Sequence, residues 1–135
     1  IVGRDNVFAN NCGIAGHVKV GNNVTLCAVS LVHQFCTIGD YAFTGLNSVI
    51  TMDVPAFVKV ASNPAKPVGL NSIGMQRGGI SDDEIKLLKK AYKILYRDGN
   101  LLKEAISKIN ELDSSKSILK IFIDSIENSS RGILR

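Results

Sequence analysis

Every sixth residue from Val2 onward forms one series: Val2, Phe8, Ile14, Val20, Leu26, Val32, Ile38, Thr44 and Ile50, with Thr44 as its single polar member. A period of six matches neither the 3.6-residue turn of an α-helix nor the simple alternation of a hairpin strand. It specifies a solenoid, a chain wound in short coils that stack on one another. The residues two places before these markers are small or of modest size, as at Cys12, Val18, Val24, Ser30, Cys36, Ala42 and Ser48. With three hexapeptides to a coil, residues eighteen apart stack. Val2, Val20 and Ile38 then make one ladder, Phe8, Leu26 and Thr44 a second, and Ile14, Val32 and Ile50 a third. Gly3, Gly21 and Gly39 stack as well, where a chain bending at a corner needs a residue without a Cβ. Each coil buries its apolar edge only against its neighbours. A polar residue in the stack, Thr44, is therefore expected at an end or at a working surface.

The rhythm fails after Asp53-Val54-Pro55. Residues 1–55 read as β-solenoid. Residues 56–80, with Pro64, Pro67, Gly69, Gly74, Gly78 and Gly79, read as an extended and turning connector. Residues 81–135 read as a small helical unit. Ser81-Asp82-Asp83-Glu84 is a capping box with acids in the first turn, followed by an apolar stripe of Ile85, Leu88, Tyr92 and Leu95 that ends at Asp98-Gly99-Asn100. A second helix over Leu101 to Leu112 carries Leu102, Ala105, Ile106 and Ile109 on one face. Asp113-Ser114-Ser115 separates it from a third, with Leu119, Phe122 and Ile126 inward, and the tail Ser129-Ser130-Arg131-Gly132 reads as a helix end. The chain opens at Ile1-Val2-Gly3 already in phase and without polar capping sequence, so it reads as a piece of a longer solenoid. No apolar run reaches the length needed to span a membrane, and no signal peptide is expected. Cys12, Cys27 and Cys36 lack CxxC spacing and read as reduced thiols, which suits a cytoplasmic protein.

Few residues can carry chemistry. The two histidines, His17 and His33, belong to neighbouring coils and roughly one side, either as surface residues or as parts of a site. A catalytic zinc takes three protein ligands, and two histidines without a cysteine or carboxylate in register do not supply them within one chain, so no metal is expected. Arg77, in Gly74-Met75-Gln76-Arg77-Gly78-Gly79, is either a loop arginine or a bidentate phosphate ligand. Lys86, Lys89, Lys90, Lys93 and Arg97 form a basic stripe beside the apolar one, either a solvated face or a docking face for an acidic partner. Without interleaved aromatics that stripe does not read as a nucleic-acid surface.

The hexapeptide coils, the segments Ile14-Ala15-Gly16-His17-Val18 and Ala28-Val29-Ser30-Leu31-Val32-His33-Gln34-Phe35-Cys36, Asp53-Val54-Pro55, Gly74-Met75-Gln76-Arg77, Ala91-Tyr92-Lys93 and the closing Ser130-Arg131-Gly132 together resemble the C-terminal half of the acyl-ACP:UDP-N-acetylglucosamine O-acyltransferase family. The resemblance implies a left-handed parallel β-helix followed by a small C-terminal α-helical domain, assembled as a homotrimer with active sites between subunits, in the cytoplasm of a Gram-negative-type bacterium. It implies transfer of a 3-hydroxyacyl chain from acyl carrier protein to the 3-hydroxyl of UDP-N-acetylglucosamine, the first step of lipid A synthesis, without a further cofactor. The family's general-base histidine aligns upstream of Ile1, so the chain alone is expected to be inactive. By the same resemblance the Gly16 N–H is the oxyanion donor. His17, His33 and Gln34 line the groove for sugar nucleotide and acyl chain, Asn71 and Arg77 contact the nucleotide diphosphate, and Leu46, stacked on Asn10 and Ala28, sets acyl length. The basic stripe becomes the dock for acyl carrier protein. The alternatives are the N-acyltransferase of the same pathway and a non-catalytic trimerising or ligand-binding β-helix.

Overall fold

The computed structural model describes residues 1–113 and 115–135; Ser114, which falls in the break between the second and third expected helices, lies outside the described residues. The first part is a left-handed parallel β-helix of about three turns. Its strands are only two residues long: β1 (Val7–Phe8), β2 (Gly13–Ile14), β3 (Lys19–Val20), β4 (Thr25–Leu26), β5 (Leu31–Val32), β6 (Thr37–Ile38), β7 (Phe43–Thr44) and β8 (Val49–Ile50). They form three parallel faces, β1-β4-β7, β2-β5-β8 and β3-β6. The expected eighteen-residue register is the observed one, with Phe8 beside Leu26, Leu26 beside Thr44, Ile14 beside Val32, Val32 beside Ile50, Val20 beside Ile38 and Val2 bridging to Val20. In each strand from β3 to β8 the second residue is the buried one, because successive side chains point to opposite faces and only one face looks into the coil.

The corners are made by residues other than the stacked glycines. Asp5, Asn11, His17, Asn23, Val29, Phe35, Tyr41 and Asn47 all lie in the left-handed region, at φ between 54° and 68°. Asn and Asp enter that region at little cost because their short polar side chains bond locally. Gly3, Gly21 and Gly39 do not have positive φ; they are needed because the next coil passes too close for a side chain. Val29 is the costly corner, since a β-branched residue at φ 60° is strained and its side chain, 42% exposed, recovers little by burial. Val29→Asn is expected to raise stability by about 1 kcal/mol, read as a higher thermal midpoint; an unchanged midpoint would mean that the corner stores no strain.

Thr44 corrects an expectation. It lies neither at an end nor at a working surface: it is fully buried inside the coil, and its hydroxyl shares a 2.7 Å hydrogen bond with that of Ser30, which also donates to Cys27 O at 2.7 Å. Two hydroxyls satisfying one another, with a carbonyl closing the chain, make an interior polar position tolerable.

The solenoid does not stop at Pro55. Ile38 pairs with Val54 and Thr44 with Val60, so this coil is shortened from eighteen residues to sixteen yet keeps its ladders. Residues 56–80, expected as connector, hold β9 (Val58–Ala61), which extends the β1-β4-β7 face, then β10 (Lys66–Leu70), antiparallel to it, and the short helix α1 (Ser72–Arg77). Val58 and Val60 are fully buried, which is why the chain keeps a strand here despite its prolines and glycines.

Helix α2 (Asp82–Tyr96) starts with the expected capping box, Ser81 Oγ accepting from Glu84 N and Glu84 Oε1 accepting from Ser81 N. It buries Ile85, Leu88, Ala91, Tyr92 and Leu95. Helices α3 (Leu102–Asn110) and α4 (Ser117–Glu127) close the bundle through Ala105, Ile109, Ile118, Leu119, Phe122, Ile123 and Ile126. The tail is more than a helix end. Ile133 pairs in parallel with Asp53, Asp53 N donates to Gly132 O at 3.0 Å and Leu134 N to Asp53 O at 2.8 Å, so the last residues add a rung to the end of the β3-β6 face. Asp53, 97% buried, fixes that rung: Oδ1 accepts from Thr37 N at 2.7 Å and Oδ2 from Ser129 Oγ at 2.6 Å. Tyr96 donates its hydroxyl to Leu134 O at 2.8 Å, and burial pushes its phenol well above the ordinary range. The Arg135 guanidinium donates to Leu95 O and Asn100 O at the C-terminal end of α2.

Candidate functional site

The hexad places Gly16 and His17 at the corner after β2, and His33, Gln34 and Phe35 at the corner after β5, directly beyond it. Two first-corner N–H groups are capped, Arg4 N by Asn22 Oδ1 and Asn22 N by Asp40 Oδ1, both at 2.8 Å; those of Asn10, Ala28, Gln34, Asp40 and Leu46 have no partner among the described residues. The Gly16 N–H has no such partner among the described residues, and nothing lies within 4 Å of where a Cβ on Gly16 would stand. Neither φ nor crowding in this chain therefore requires glycine there; what the glycine leaves is a bare, solvent-facing donor. An unpaired N–H of this kind can stabilise charge developing on a carbonyl oxygen brought to it.

His17 and His33 are both exposed, and they are oriented differently. The His33 Nδ1 lies 3.1 Å from Gln34 O. The His17 ring lies parallel to that of Phe35, with centroids 4.9 Å apart and planes 6° apart. Leu46 stands on the neighbouring corner, 72% exposed. The Val29 N to Asn10 O and Asn47 N to Ala28 O bonds, 2.9 and 3.0 Å, stack that corner as the eighteen-residue register requires.

Asn71 and Arg77 come together in a second place, a cleft of about 450 Å³ between the β4-β7-β9 face and α1. Thr25, Phe43 and Lys59 are register partners on that face and form one wall; Leu70, Asn71, Ser72, Ile73, Gly74 and Arg77 form the other. Lys59 Nζ sits 5.0 Å over the Phe43 ring. The lining contains two cations and no carboxylate, which suits an anion. Asn71 is largely committed to the fold: its Nδ2 donates to Tyr41 O at 2.9 Å and its Oδ1 accepts from Gly74 N at 3.1 Å, capping α1. Lys59, Phe43 and Thr25 carry no motif in the sequence; only an outward position in their strands marks them. Gly16, His17, His33 and Gln34 do not line this cleft.

Lys86, Lys89, Lys90, Lys93 and Arg97 are all exposed on the outer face of α2. Lys93 is 3.9 Å from Asp98, and the Arg97 guanidinium lies 5.7 Å from the Tyr92 ring centre. Burial raises the Tyr92 phenol against the opposing effect of Arg97. Lys89, Tyr92, Lys93 and Arg97 line a hollow of about 350 Å³ with Gly69, Leu70 and Ser72. Leu70 and Ser72 also line the anion cleft, so the basic face and the cleft are continuous across the end of β10. No described helix is long and apolar enough to cross a membrane.

Residues 53–134 match a protein-family model described as UDP-N-acetylglucosamine O-acyltransferase, domain 2. Over 135 residues, all of this chain and 52% of the relative, the sequence is 43% identical to the acyl-[acyl-carrier-protein]–UDP-N-acetylglucosamine O-acyltransferase of Pseudomonas putida (strain W619). It is 44% identical, with the same coverage, to the protein of that name from Aliivibrio fischeri (strain MJ11). The crystal structure of UDP-N-acetylglucosamine O-acyltransferase from Moraxella catarrhalis superposes with a TM-score of 0.93 at 47% identity, covering 98% of this chain and 51% of that one. The chain thus spans about half the length of the relatives it matches.

Proposed function

The chain belongs to the UDP-N-acetylglucosamine O-acyltransferase family, and on that premise we propose that it supplies the sugar-nucleotide site, the oxyanion donor and the carrier-protein dock for transfer of a 3-hydroxyacyl chain to the 3-hydroxyl of UDP-N-acetylglucosamine. In this reading the acyl thioester arrives on acyl carrier protein, whose acidic surface meets Lys86, Lys89, Lys90, Lys93 and Arg97. The thioester carbonyl oxygen is received by the Gly16 N–H as the sugar hydroxyl attacks its carbon and the carrier thiol leaves. His17, His33 and Gln34 hold the sugar and the head of the acyl chain, Leu46 limits the chain's length, and Arg77 with Lys59 takes the diphosphate. Both histidines are assigned to binding, and deprotonation of the hydroxyl is assigned to no residue of this chain. Because the Gly16 corner and the Arg77 cleft are separate within one chain, the complete site is formed between neighbouring copies of a trimer.

The observation that carries this reading is the cleft of Lys59, Phe43, Asn71 and Arg77, two cations without a carboxylate beside a face of parallel strands. Calorimetric titration of the protein with UDP-N-acetylglucosamine is expected to show binding that Arg77→Ala weakens by about 10- to 100-fold, the worth of a charge-assisted hydrogen bond pair. Equal affinity in the variant would remove Arg77 from the site. Absence of binding by the parent protein would remove the site itself.

A further inference from the structure

Two pairs of corner residues carry stacked aromatic rings, and they differ in what the stack can be for. Tyr41 and Phe57 lie 5.8 Å apart at 18°. Phe57 is fully buried, and a Cβ on Gly78 would strike the Tyr41 ring, so that pair is part of the core beneath α1. His17 and Phe35 are both exposed, Phe35 by 50%. Phe35 nevertheless holds a left-handed backbone, φ 68°, at a position in the corner series where Asn or Asp would be relaxed. Val29 shares that strain and exposure; what Phe35 has besides is a ring stacked on an imidazole, and that points to a role.

From this we infer that Phe35 is the positioning residue for His17, presenting its imidazole to the sugar nucleotide with both ring nitrogens free. The inference rests on the reading above only in naming the sugar nucleotide as what His17 meets. An imidazole on a corner turns about two side-chain bonds, and something must fix its plane before it can meet a ligand without loss of entropy. A hydrogen-bonding partner does this by occupying one nitrogen, as Gln34 O does opposite His33 Nδ1. A parallel phenyl ring does it through the ring face alone. Phe35 has no side-chain donor or acceptor, and among the described residues neither nitrogen of His17 has a hydrogen-bond partner. Phe35 also fixes the backbone beneath the imidazole, since its N–H donates to Gly16 O at 3.1 Å and so ties the Gly16–His17 peptide to the next coil. The Phe35 side chain thereby sets the ring plane of His17, on a turn whose backbone bond the corners at Asn23, Val29, Tyr41 and Asn47 make as well.

The test separates positioning from folding by using a residue that the corner prefers. Phe35→Asn keeps the left-handed turn and its backbone bond, so the thermal midpoint is expected not to fall. In ¹H–¹⁵N spectra of the imidazole rings, the His17 signals are expected to lose their ring-current displacement and to show rotational averaging, with His33 unchanged as internal control. The Kd for UDP-N-acetylglucosamine is expected to weaken by about 3- to 10-fold, the worth of one aromatic stack, and Phe35→Tyr, which restores a ring, is expected to recover both readouts. His17 spectra and affinity in Phe35→Asn identical to the parent protein would overturn the inference. If the parent protein binds no UDP-N-acetylglucosamine, the functional reading falls, and the imidazole spectra still decide whether Phe35 positions His17.

Discussion

Gly39→Ala is expected to destabilise the protein by about 3 kcal/mol, the upper part of the usual range for forcing extra volume into a packed interior. In a chain of 135 residues that is a fall in thermal midpoint of roughly 10 °C. The added methyl would lie 2.7 Å from Ala56 Cα and 2.9 Å from Pro55 C, and closer still to Ala56 N. These are backbone atoms, held by the Gly39 N to Val54 O bond at 2.9 Å and by the fully buried Ala56 and Phe57, so no side chain can swing aside. Gly3→Ala makes the same kind of clash, with Gly21 O and Asn22 Oδ1, yet Gly3 is exposed on the first coil and has room to shift. Its cost is expected to be well below that of Gly39→Ala. Equal midpoints for the Gly39 variant and the parent protein, by calorimetry, would show that the coils are not as close as described.

Asp53→Ala is expected to cost more, about 3–5 kcal/mol, because it removes the acceptor from two buried or half-buried donors at once, Thr37 N–H and Ser129 Oγ–H. The loss does not remain local. Among the described residues the Gly132-to-Leu134 backbone pairs with the Asp53 backbone, with Tyr96 the further donor to Leu134 O, so the buried side chains of Ile133 and Leu134 are held largely by that pairing. Hydrogen exchange should show it: the Leu134 and Asp53 amides are expected to exchange much faster in Asp53→Ala, while those of β4 and β5 change only as far as global stability does. Asp53→Asn, which keeps one acceptor oxygen, is expected to fall between. A urea midpoint for Asp53→Ala within experimental scatter of the parent value would show that the carboxylate does not hold the tail.

The contrast between these two residues shows what could be read before the structure. Repetition made the coils legible, because burying the same two side chains in every six leaves a trace at every coil; the ladders from Val2 to Ile50 follow from it directly. Thr44 broke the pattern and invited a functional explanation, whereas its partner Ser30 is fourteen residues away and lies in a different strand series. Asp53 looked like the end of the rhythm because its partner Ser129 is seventy-six residues distant. A pairing made once, across such a span, has no periodic signature. The glycine stack was visible, but its cause, the nearness of the next coil, depends on spacing between coils that no single coil encodes. Gly16, His17, His33, Gln34, Asn71 and Arg77 enter the proposed site through family resemblance, and the Asn71 side chain also caps α1 and holds Tyr41. Lys59 and Phe43 were silent, because an outward residue in a short strand looks the same whether it faces water or a ligand.

The sixteen-residue coil has a meaning beyond packing. A winding repeated without change is an open screw symmetry: each coil offers the next the same edge that it received, and nothing in it specifies a last member, which is the condition under which identical units grow into fibres. Dropping two residues between Ile50 and Val54 shortens the last coil while its ladders stay paired, and non-repeating chain then covers its edge, β10 along β9 and Ile133 along Asp53. The winding is thus closed at this end by chain that does not repeat, so the edge a further coil would need is already taken.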